Sequence, residues 1–528
     1  MRERAVGEKA AGMAGTVLGM IRRHARERGS DLAYWTPART WSFAQLDQAS
    51  NRIAQGLKNL GIGPGERVAC LTKHTAECVA LVLGANKVGA VCMPVNWRLA
   101  PPEIEYIVRN GEARLLLADG PFSAIANQIS VPSLKKILAT EEFSAWYGAF
   151  DAKDPDYQAA PDGTALQLYS SGTTGLPKGV ELTHNNLRAG MMDAVPAAIS
   201  YRGAPDVMLN ALPTYHIAGV GVALLTASKG GMSVLYPDFD PAKVIAAIAE
   251  HRITHSFLVP AMIQFMLQVP GAGQADYSSL KGISYGASPI SETVLVQAMR
   301  TFKCQFMQVY GLTETTGAIT CLPPEDHDPQ GAKRELLRSA GKPIDGVELR
   351  VVDAAGHDCA EGEVGEVWIR TAQNMKGYWS NPTATAEAMV ERRAAAPAWF
   401  RSGDAGFLRG GYLYLHDRIK DMIISGGENI YPAEVENTLM LHPAVGDGAV
   451  IGVPDEQWGE AVKACVVLKP GATATQGEII DFMRGRIAHF KCPNSVDFVE
   501  SIPRNPTGKI LKRVLREPYW KGKQRRVN

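Results

Sequence analysis

The residues with the clearest chemical potential lie in one stretch, Tyr169–Gly179, which follows an apolar segment of the chain. Its three glycines allow backbone N–H groups to approach phosphate oxygens without a Cβ in the way. Lys178 adds a positive charge at the end of the stretch. The residues we expect to hold ATP phosphates are Ser170, Ser171, Gly172, Thr173, Thr174, Gly175 and Lys178.

This loop differs from the common G-x-x-x-x-G-K-[ST] phosphate loop. Counted from Gly172, Pro177 stands in place of the second glycine, and Gly179 replaces the Ser or Thr that would hold magnesium. The usual P-loop NTPase chemistry is therefore disfavoured. By composition alone, a surface loop of turn residues remains an alternative.

Further segments of the chain argue against a simple surface loop. Together with Tyr169–Gly179, in the same order along the chain, they resemble the motifs of the adenylate-forming superfamily of acyl-CoA synthetases, aryl-CoA ligases, peptide-synthetase adenylation domains and luciferases. The resemblance covers about residues 20 to 517. The segments are Tyr310–Thr315, Trp399–Asp404, Asp417–Asp421 and Pro503–Lys509.

The resemblance implies roles for the nucleotide-binding residues. Glu314, with Ser170 as a second contact, would hold a Mg²⁺ bridging the ATP phosphates, and Thr313 would touch the α-phosphate. Tyr310 and the adjacent Gly311 would lie against the adenine. The remaining adenosine contacts expected from the family are Gly286, Ala287 and Ser288 beside the base, and Asp404, Arg418 and Lys420 near the ribose and the hinge.

Two half-reactions follow from the same resemblance. A carboxylate attacks the α-phosphate of ATP and releases pyrophosphate, and a thiol then attacks the acyl-adenylate and expels AMP. Lys509 would stabilise the charge that develops in the first step. A mobile C-terminal domain would rotate about Lys420 between the two steps.

We expect the thiol to be that of coenzyme A. After rotation, Gly426 and Gly427 would leave room for a pantetheine arm. Glu428, Trp458 and Phe490 are expected along the CoA path. Cys492 stands where some relatives carry a basic residue, and a carrier-protein thiol remains an alternative acceptor.

The acid pocket is expected around His216, Ile217, Gly221 and Gly317. Between Leu212 and Leu225 there is no Asp or Glu to hold an ammonium group, so an amino acid is disfavoured. Small and apolar residues there suit a fatty acyl chain or an aryl ring. The resemblance is greatest to bacterial medium- and long-chain fatty acyl-CoA synthetases, which implies a medium- or long-chain fatty acid, and an aryl acid of the benzoate or cinnamate type is the alternative. Chain length is not determined by the sequence.

These residues must be positioned by larger elements. Short apolar runs alternate with helical patterns, which predicts α/β layers with mainly parallel sheets. The predicted strands are Arg67–Leu71, Arg114–Ala118, Ala165–Tyr169, Val207–Leu212, His255–Val259 and Gln305–Tyr310, with helices such as Pro241–His251 and Ser291–Phe302.

A small β-rich subdomain is predicted at about residues 340–416, inside an N-terminal AMP-binding domain of residues 1–419. Its predicted strands are Val347–Val352, Gly365–Ile369 and Gly411–Leu415, separated by Gly and Asp turns. Residues 420–528 should form a C-terminal α+β domain. Its predicted elements are strands Met422–Ser425, Gly448–Gly452, Lys463–Leu468 and Ser495–Val499 and helices Pro432–Leu441 and Gln476–His489.

Bulk composition excludes other classes. The 528 residues are 46% hydrophobic and carry a net charge of +1, so nothing global indicates nucleic acid or an anionic membrane. No run approaches a membrane span. The eight cysteines show no metal-ligand spacing. A cytoplasmic enzyme is expected. The sequence does not determine the oligomeric state, and a homodimer is compatible with it.

Overall fold

A computed structural model describes residues 15–170, 176–288, 290–390, 397–418, 421–426, 428–504 and 510–521, apart from the side chains of 417 and 418. The larger, N-terminal part contains strands β1 to β21. They are β1 (Leu32–Trp35), β2 (Thr40–Ser42), β3 (Arg67–Leu71), β4 (Val91–Pro94), β5 (Ala113–Ala118), β6 (Lys136–Ala139), β7 (Thr164–Ser170), β8 (Lys178–Thr183), β9 (Val207–Asn210), β10 (Met232–Leu235), β11 (His255–Leu258), β12 (Gly282–Gly286), β13 (Gln305–Leu312), β14 (Gly317–Leu322), β15 (Lys342–Pro343), β16 (Val347–Val352), β17 (Gly365–Thr371), β18 (Gly377–Tyr378), β19 (Met389–Val390), β20 (Trp399–Arg409) and β21 (Tyr412–Arg418).

Helices lie between most of these strands. They are α1 (Val17–Glu27), α2 (Phe43–Asn59), α3 (Ala76–Asn86), α4 (Pro101–Asn110), α5 (Gly120–Gln128), α6 (Thr140–Gly148), α7 (His184–Leu187), α8 (Val195–Ala198), α9 (Ile217–Ser228), α10 (Pro241–Glu250), α11 (Pro260–Gln268), α12 (Glu292–Phe302) and α13 (Pro382–Ala388). A π-helix, Arg188–Ala194, connects α7 to α8.

Two large sheets organise the N-terminal part. One has nine strands in the order β15-β14-β13-β12-β11-β9-β10-β1-β2, and the other has seven in the order β18-β8-β7-β4-β3-β5-β6. The central pairs are parallel, while β14 and β8, which each lie next to an edge strand, are antiparallel to β13 and β7. All five residues of β3 are buried, as expected for a strand covered on both faces. The predicted α/β class is confirmed.

The β-rich unit is a five-stranded antiparallel sheet, ordered β16-β17-β20-β19 with β21 on β20. β16 has the predicted bounds, Val347–Val352. β20 runs for 11 residues and carries Asp404 within it.

The C-terminal part has its own five-stranded sheet, ordered β23-β22-β25-β24 with β26 parallel to β25. Its elements are β22 (Ile423–Ser425), β23 (Glu428–Ile430), α14 (Pro432–Leu439), β24 (Val445–Asp455), β25 (Gly459–Leu468), α15 (Gln476–Arg484), β26 (Ser495–Phe498) and α16 (Lys512–Trp520). Its core, which includes Ile423, Val435, Val462 and Ile479, is separate from that of the large sheets. Within the described ranges of the chain, no helix is long and apolar enough to cross a bilayer.

Candidate functional site

The predicted phosphate loop is the connection of a β-hairpin. Ser170 at the end of β7 pairs with Lys178 at the start of β8, so the two chain ends of the loop are fixed side by side. A Cβ on Gly179 would lie 2.6 Å from the Gln167 amide nitrogen, so a larger residue here would displace the Gln167 side chain. The predicted ligands Ser171, Gly172, Thr173, Thr174 and Gly175 lie outside the described residues.

Glu314 lies opposite the base of this hairpin. It belongs to a 3₁₀ turn, Thr313–Thr315, that connects β13 to β14. Its side chain is buried, and its Oε1 accepts a hydrogen bond of 2.9 Å from the Ser170 hydroxyl. The two residues expected to contact the metal are therefore brought together from sequence positions 144 apart.

A second hydrogen-bond donor to this carboxylate was missed in the sequence. The Tyr378 hydroxyl also donates to Glu314 Oε1, at 3.2 Å, and the Lys178 ammonium lies 5.1 Å from the centre of the Tyr378 ring. β18 pairs with β8, which carries Tyr378 to the phosphate hairpin. The signal in the sequence was a Gly-Tyr-Trp triplet at residues 377–379, which gives no indication of its partner.

The geometry of the Glu314 turn depends on its own side chains. Thr315 accepts a hydrogen bond from the Leu312 N–H at 2.9 Å and donates to the Gly317 carbonyl oxygen at 2.8 Å. Thr316 and Gly317 have φ values of +53° and +108°, and these reverse the chain into β14. β13 continues to Leu312, beyond the predicted end at Tyr310, so Gly311 lies within the strand.

Adenosine recognition is expected at a second pair of side chains. The Tyr310 hydroxyl donates a 2.6 Å hydrogen bond to Asp404 Oδ2, which joins the expected adenine contact to the expected ribose contact. Both residues lie where the register of a strand pair shifts. The shift in β13 falls between Tyr310 and Gly311, and the shift in β20 falls between Asp404 and Gly406. Such bulges turn a side chain out of the regular alternation. Arg418 pairs with Asp404 along the backbone, and its side chain lies outside the described part.

The segment expected beside the adenine follows β12. Gly286 is in register with Val309, and a Cβ on Gly286 would lie 2.2 Å from the Val309 carbonyl oxygen. Ala287 has a φ of +69°, so the chain turns sharply there. Ser288 follows in the same turn. The absence of a larger side chain at Gly286 leaves the strand ends of β12 and β13 in close contact.

His216 is one of the residues expected at the acid pocket. It is the N-cap of α9, which begins at Ile217 and contains Gly221. Its Nε2 is buried with no hydrogen-bond partner among the described residues, and its ring lies 4.5 Å from the Tyr215 ring. Burial, and secondly the charge of Arg98, lower the pKa of His216 to about 4. The imidazole is therefore neutral at physiological pH.

The residues predicted on the CoA path lie on the C-terminal sheet and its loops. Gly426 has a φ of +61°, and its N–H donates to the Trp458 carbonyl oxygen at 2.8 Å. A Cβ on Gly426 would lie 2.7 Å from the Trp458 ring. Trp458 and Phe490 are about half exposed, and Glu428 is exposed. Gly427, Lys420 and Lys509 lie outside the described residues.

The donor set suits a magnesium ion that arrives with a nucleotide. In the described part of the chain, no group of three or more His, Cys, Asp or Glu side chains could hold a metal alone. Mg²⁺ usually binds one or two carboxylates together with substrate phosphates. The buried Glu314 carboxylate, with the Ser170 hydroxyl beside it, supplies oxygen ligands of that type.

Comparison with known proteins agrees with these motifs. The model of the AMP-binding enzyme family matches residues 21–379, and that of the AMP-binding enzyme C-terminal domain matches residues 434–509. The chain belongs to the AMP-binding enzyme family. It is thus an adenylate-forming, ATP-dependent ligase, which confirms the predicted reaction class.

Relatives in this family cover nearly the whole chain. It is 40% identical to the fatty acid–acyl-carrier-protein ligase ScoC of Streptomyces coeruleorubidus, over 96% of each chain. It is 36% identical to a feruloyl-CoA synthase of Amycolatopsis sp., over 90% of this chain and 94% of that one. The structure of a fatty acyl CoA synthetase of Mycobacterium tuberculosis superposes with a TM-score of 0.77 at 33% identity, covering 97% and 99%.

Proposed function

We propose that this enzyme is an acyl-CoA ligase for medium- or long-chain fatty acids. It would convert the acid and ATP to acyl-AMP and pyrophosphate, and then acyl-AMP and CoA to acyl-CoA and AMP. The observation that carries the proposal is the junction of Ser170, Glu314 and Tyr378 at the base of the phosphate hairpin, next to an uncharged pocket helix. A phosphate-binding region and an apolar acid-binding region therefore adjoin at Gly317, which lies three residues after Glu314.

In the adenylation step, the hairpin would bind the β- and γ-phosphates that leave as pyrophosphate. Glu314 and Ser170 would hold Mg²⁺, which when bound neutralises phosphate charge. Thr313 would contact the α-phosphate, while Tyr310 and Asp404 fix the adenosine. Lys509 would stabilise the charge that develops as the acid oxygen attacks phosphorus.

The second step requires different groups around the same adenylate. We propose a boundary at residues 419 and 420, with residues 420–528 rotating about Lys420. The rotation would withdraw Lys509 and bring the loop at Gly426 to the acyl carbon. The separate cores of the two parts support a rigid-body movement.

A fatty acid is favoured by the pocket helix α9. Its 12 residues include no charged side chain, and neutral His216 precedes it. Similarity to the mycobacterial fatty acyl CoA synthetase supports this choice. Similarity to a feruloyl-CoA synthase supports an aryl acid as the second candidate.

The identity of the thiol is a separate question. Similarity to the acyl-carrier-protein ligase ScoC favours a carrier-protein thiol as the alternative to CoA. We infer a cytoplasmic location because ATP and CoA are available there, and because all eight cysteines are free thiols, as in a reducing compartment.

The deciding experiment measures acid-dependent pyrophosphate release with a panel of fatty, aryl and amino acids, followed by thioester formation with CoA or with a phosphopantetheinylated carrier protein. Fatty acids should give the highest kcat/KM, and CoA should release AMP. A lack of pyrophosphate with every acid would overturn the enzyme assignment. Turnover that responds only to carrier protein would overturn CoA as the acceptor.

A variant separates the two steps. Lys509→Ala should abolish pyrophosphate release but leave thioester formation from supplied acyl-adenylate intact. Equal loss of both steps would contradict the rotation about Lys420.

A further inference from the structure

One side chain that the reaction scheme does not use lies between two glycines of the predicted acid pocket. A Cβ on Gly221 would lie 2.9 Å from Met191 Sδ, and a Cβ on Gly317 would lie 2.9 Å from Met191 Cε. The same thioether therefore covers both glycines. Met191 is 4% exposed and belongs to the hydrophobic core of the large sheets.

The two glycines belong to different elements. Gly221 lies on α9, one turn after Ile217, whose Cδ1 is 3.3 Å from the same Cβ position. Gly317 begins β14 directly after the turn that carries Glu314. Met191 thus bridges the pocket helix and the segment that leads from the phosphate-binding turn. An acyl chain that entered between them would meet the Met191 side chain.

The backbone that carries Met191 is held in place. Residues 188–194 form a π-helix, in which the Val195 N–H bonds to the Gly190 carbonyl oxygen five residues earlier. A Cβ on Gly190 would lie 2.9 Å from the Gln373 amide oxygen and 3.1 Å from the Thr316 carbonyl oxygen. This close packing fixes the Cα of Met191. The movable part is the end of its side chain.

Methionine suits a movable wall. Its unbranched side chain rotates about three bonds, and its thioether adapts to irregular apolar surfaces. Insertion of a π turn into a helix is frequent at functional sites. The glycines at 221 and 317 provide the space into which either the thioether or a substrate methylene can fit.

We infer that Met191 determines which acyl-chain lengths the enzyme selects. Its thioether occupies the space between Gly221 and Gly317 that the distal part of the acyl chain enters. This inference rests on the proposed function and names the residue that sets the depth of the same pocket. Removing the thioether should deepen the pocket by about three methylene groups, the length of the atoms lost beyond Cβ.

The test compares kcat/KM for pyrophosphate release across the even-numbered saturated acids from hexanoate to stearate. In Met191→Ala the optimum should shift to longer acids. In Met191→Phe it should shift to shorter ones. A single methylene in an apolar pocket changes specificity by about tenfold or more, so the ratio for acids two carbons apart should change by at least about that factor.

Met192→Ala is the matched control. Met192 is a buried neighbour in the same π-helix, and it is not among the atoms nearest to either glycine. It should keep the wild-type chain-length profile. A structural role for Met191 would instead lower kcat/KM for all acids by one factor, and an unchanged profile in both Met191 variants would overturn the inference.

A second variant protects the test against misfolding. Gly221→Ala places a methyl group 2.9 Å from Met191 Sδ, so alone it should shift the optimum to shorter acids, and Met191→Ala in the same chain should restore longer ones. If the two substitutions shifted the chain-length optimum independently, without this compensation, the result would contradict a space shared by the Met191 thioether and the acyl chain. Absence of pyrophosphate with every acid in the wild type would refute the proposed function itself, an outcome distinct from an unchanged profile.

Discussion

The bond between Tyr310 and Asp404 gives a quantitative test of the adenosine site. Tyr310→Phe keeps the ring that should stack on adenine and removes only the hydroxyl that donates to Asp404 Oδ2 at 2.6 Å. A hydrogen bond to a charged group contributes about 1.5–3 kcal/mol. Asp404 is 9% exposed, so its carboxylate would lose one of the bonds that orient it toward the expected position of the ribose.

Tyr310 is half-buried, and water can replace part of the lost bond. We therefore use the lower end of this range, which corresponds to about a tenfold fall in kcat/KM for ATP, since about 1.4 kcal/mol is a factor of ten. The assay is pyrophosphate release at saturating fatty acid with ATP varied. kcat/KM for the acid at saturating ATP should change much less, because the acid pocket is intact.

The chain offers a matched control in Tyr412, whose hydroxyl donates to Asp326 Oδ2 at 2.8 Å. Tyr412→Phe removes the same type of bond without touching the expected nucleotide contacts, and should leave kcat/KM for ATP unchanged. In a double-mutant cycle, Tyr310→Phe should have little further effect in an Asp404→Asn background. An effect below twofold in Tyr310→Phe, or an equal effect in Tyr412→Phe, would refute the reasoning.

Three further predictions concern other parts of the molecule. Glu314→Gln should lower the rate of pyrophosphate release by about a hundredfold, as for loss of one strong electrostatic contact, and should raise the Mg²⁺ concentration needed for activity. Tyr378→Phe should lower the same rate by about tenfold or less. Equal losses in the two variants would contradict a metal-binding role for Glu314. Burial lowers the pKa of His74 to about 3 and of His184 to about 4. These folded-state pKa values lie below the unfolded value, so the unfolded chain binds more protons in this pH range. The free energy of unfolding should therefore fall as pH drops from about 6.5 to 4, by about 1.4 kcal/mol per pH unit for each histidine. Urea unfolding at several pH values measures this, and a His74→Gln variant with an unchanged slope would contradict it. Gly311→Ala would place a methyl group 1.8 Å from a backbone oxygen of the neighbouring strand. It should therefore both lower the melting temperature and abolish adenylation. Activity within twofold of wild type would contradict this prediction and show that β14 can move.

The sequence by itself determined the elements and the reaction class. Strands such as Arg67–Leu71 and Val347–Val352 have the predicted bounds, because apolar period and turn residues are local properties. The predicted helix from residue 476 ends at Arg484, earlier than expected, since Gly485 follows it as the C-cap. The motifs identified the family because their residue types and order are themselves the signal.

Only the tertiary structure decided which side chains meet. Tyr378 reaches Glu314 from 64 residues away, and Tyr310 reaches Asp404 from 94 residues away. These contacts depend on sheet register, where a single bulge changes the face on which a side chain lies. No local pattern encodes that register. Met191 shows the same limit, because its position between two glycines depends on a π-helix and on the packing of two distant segments against it.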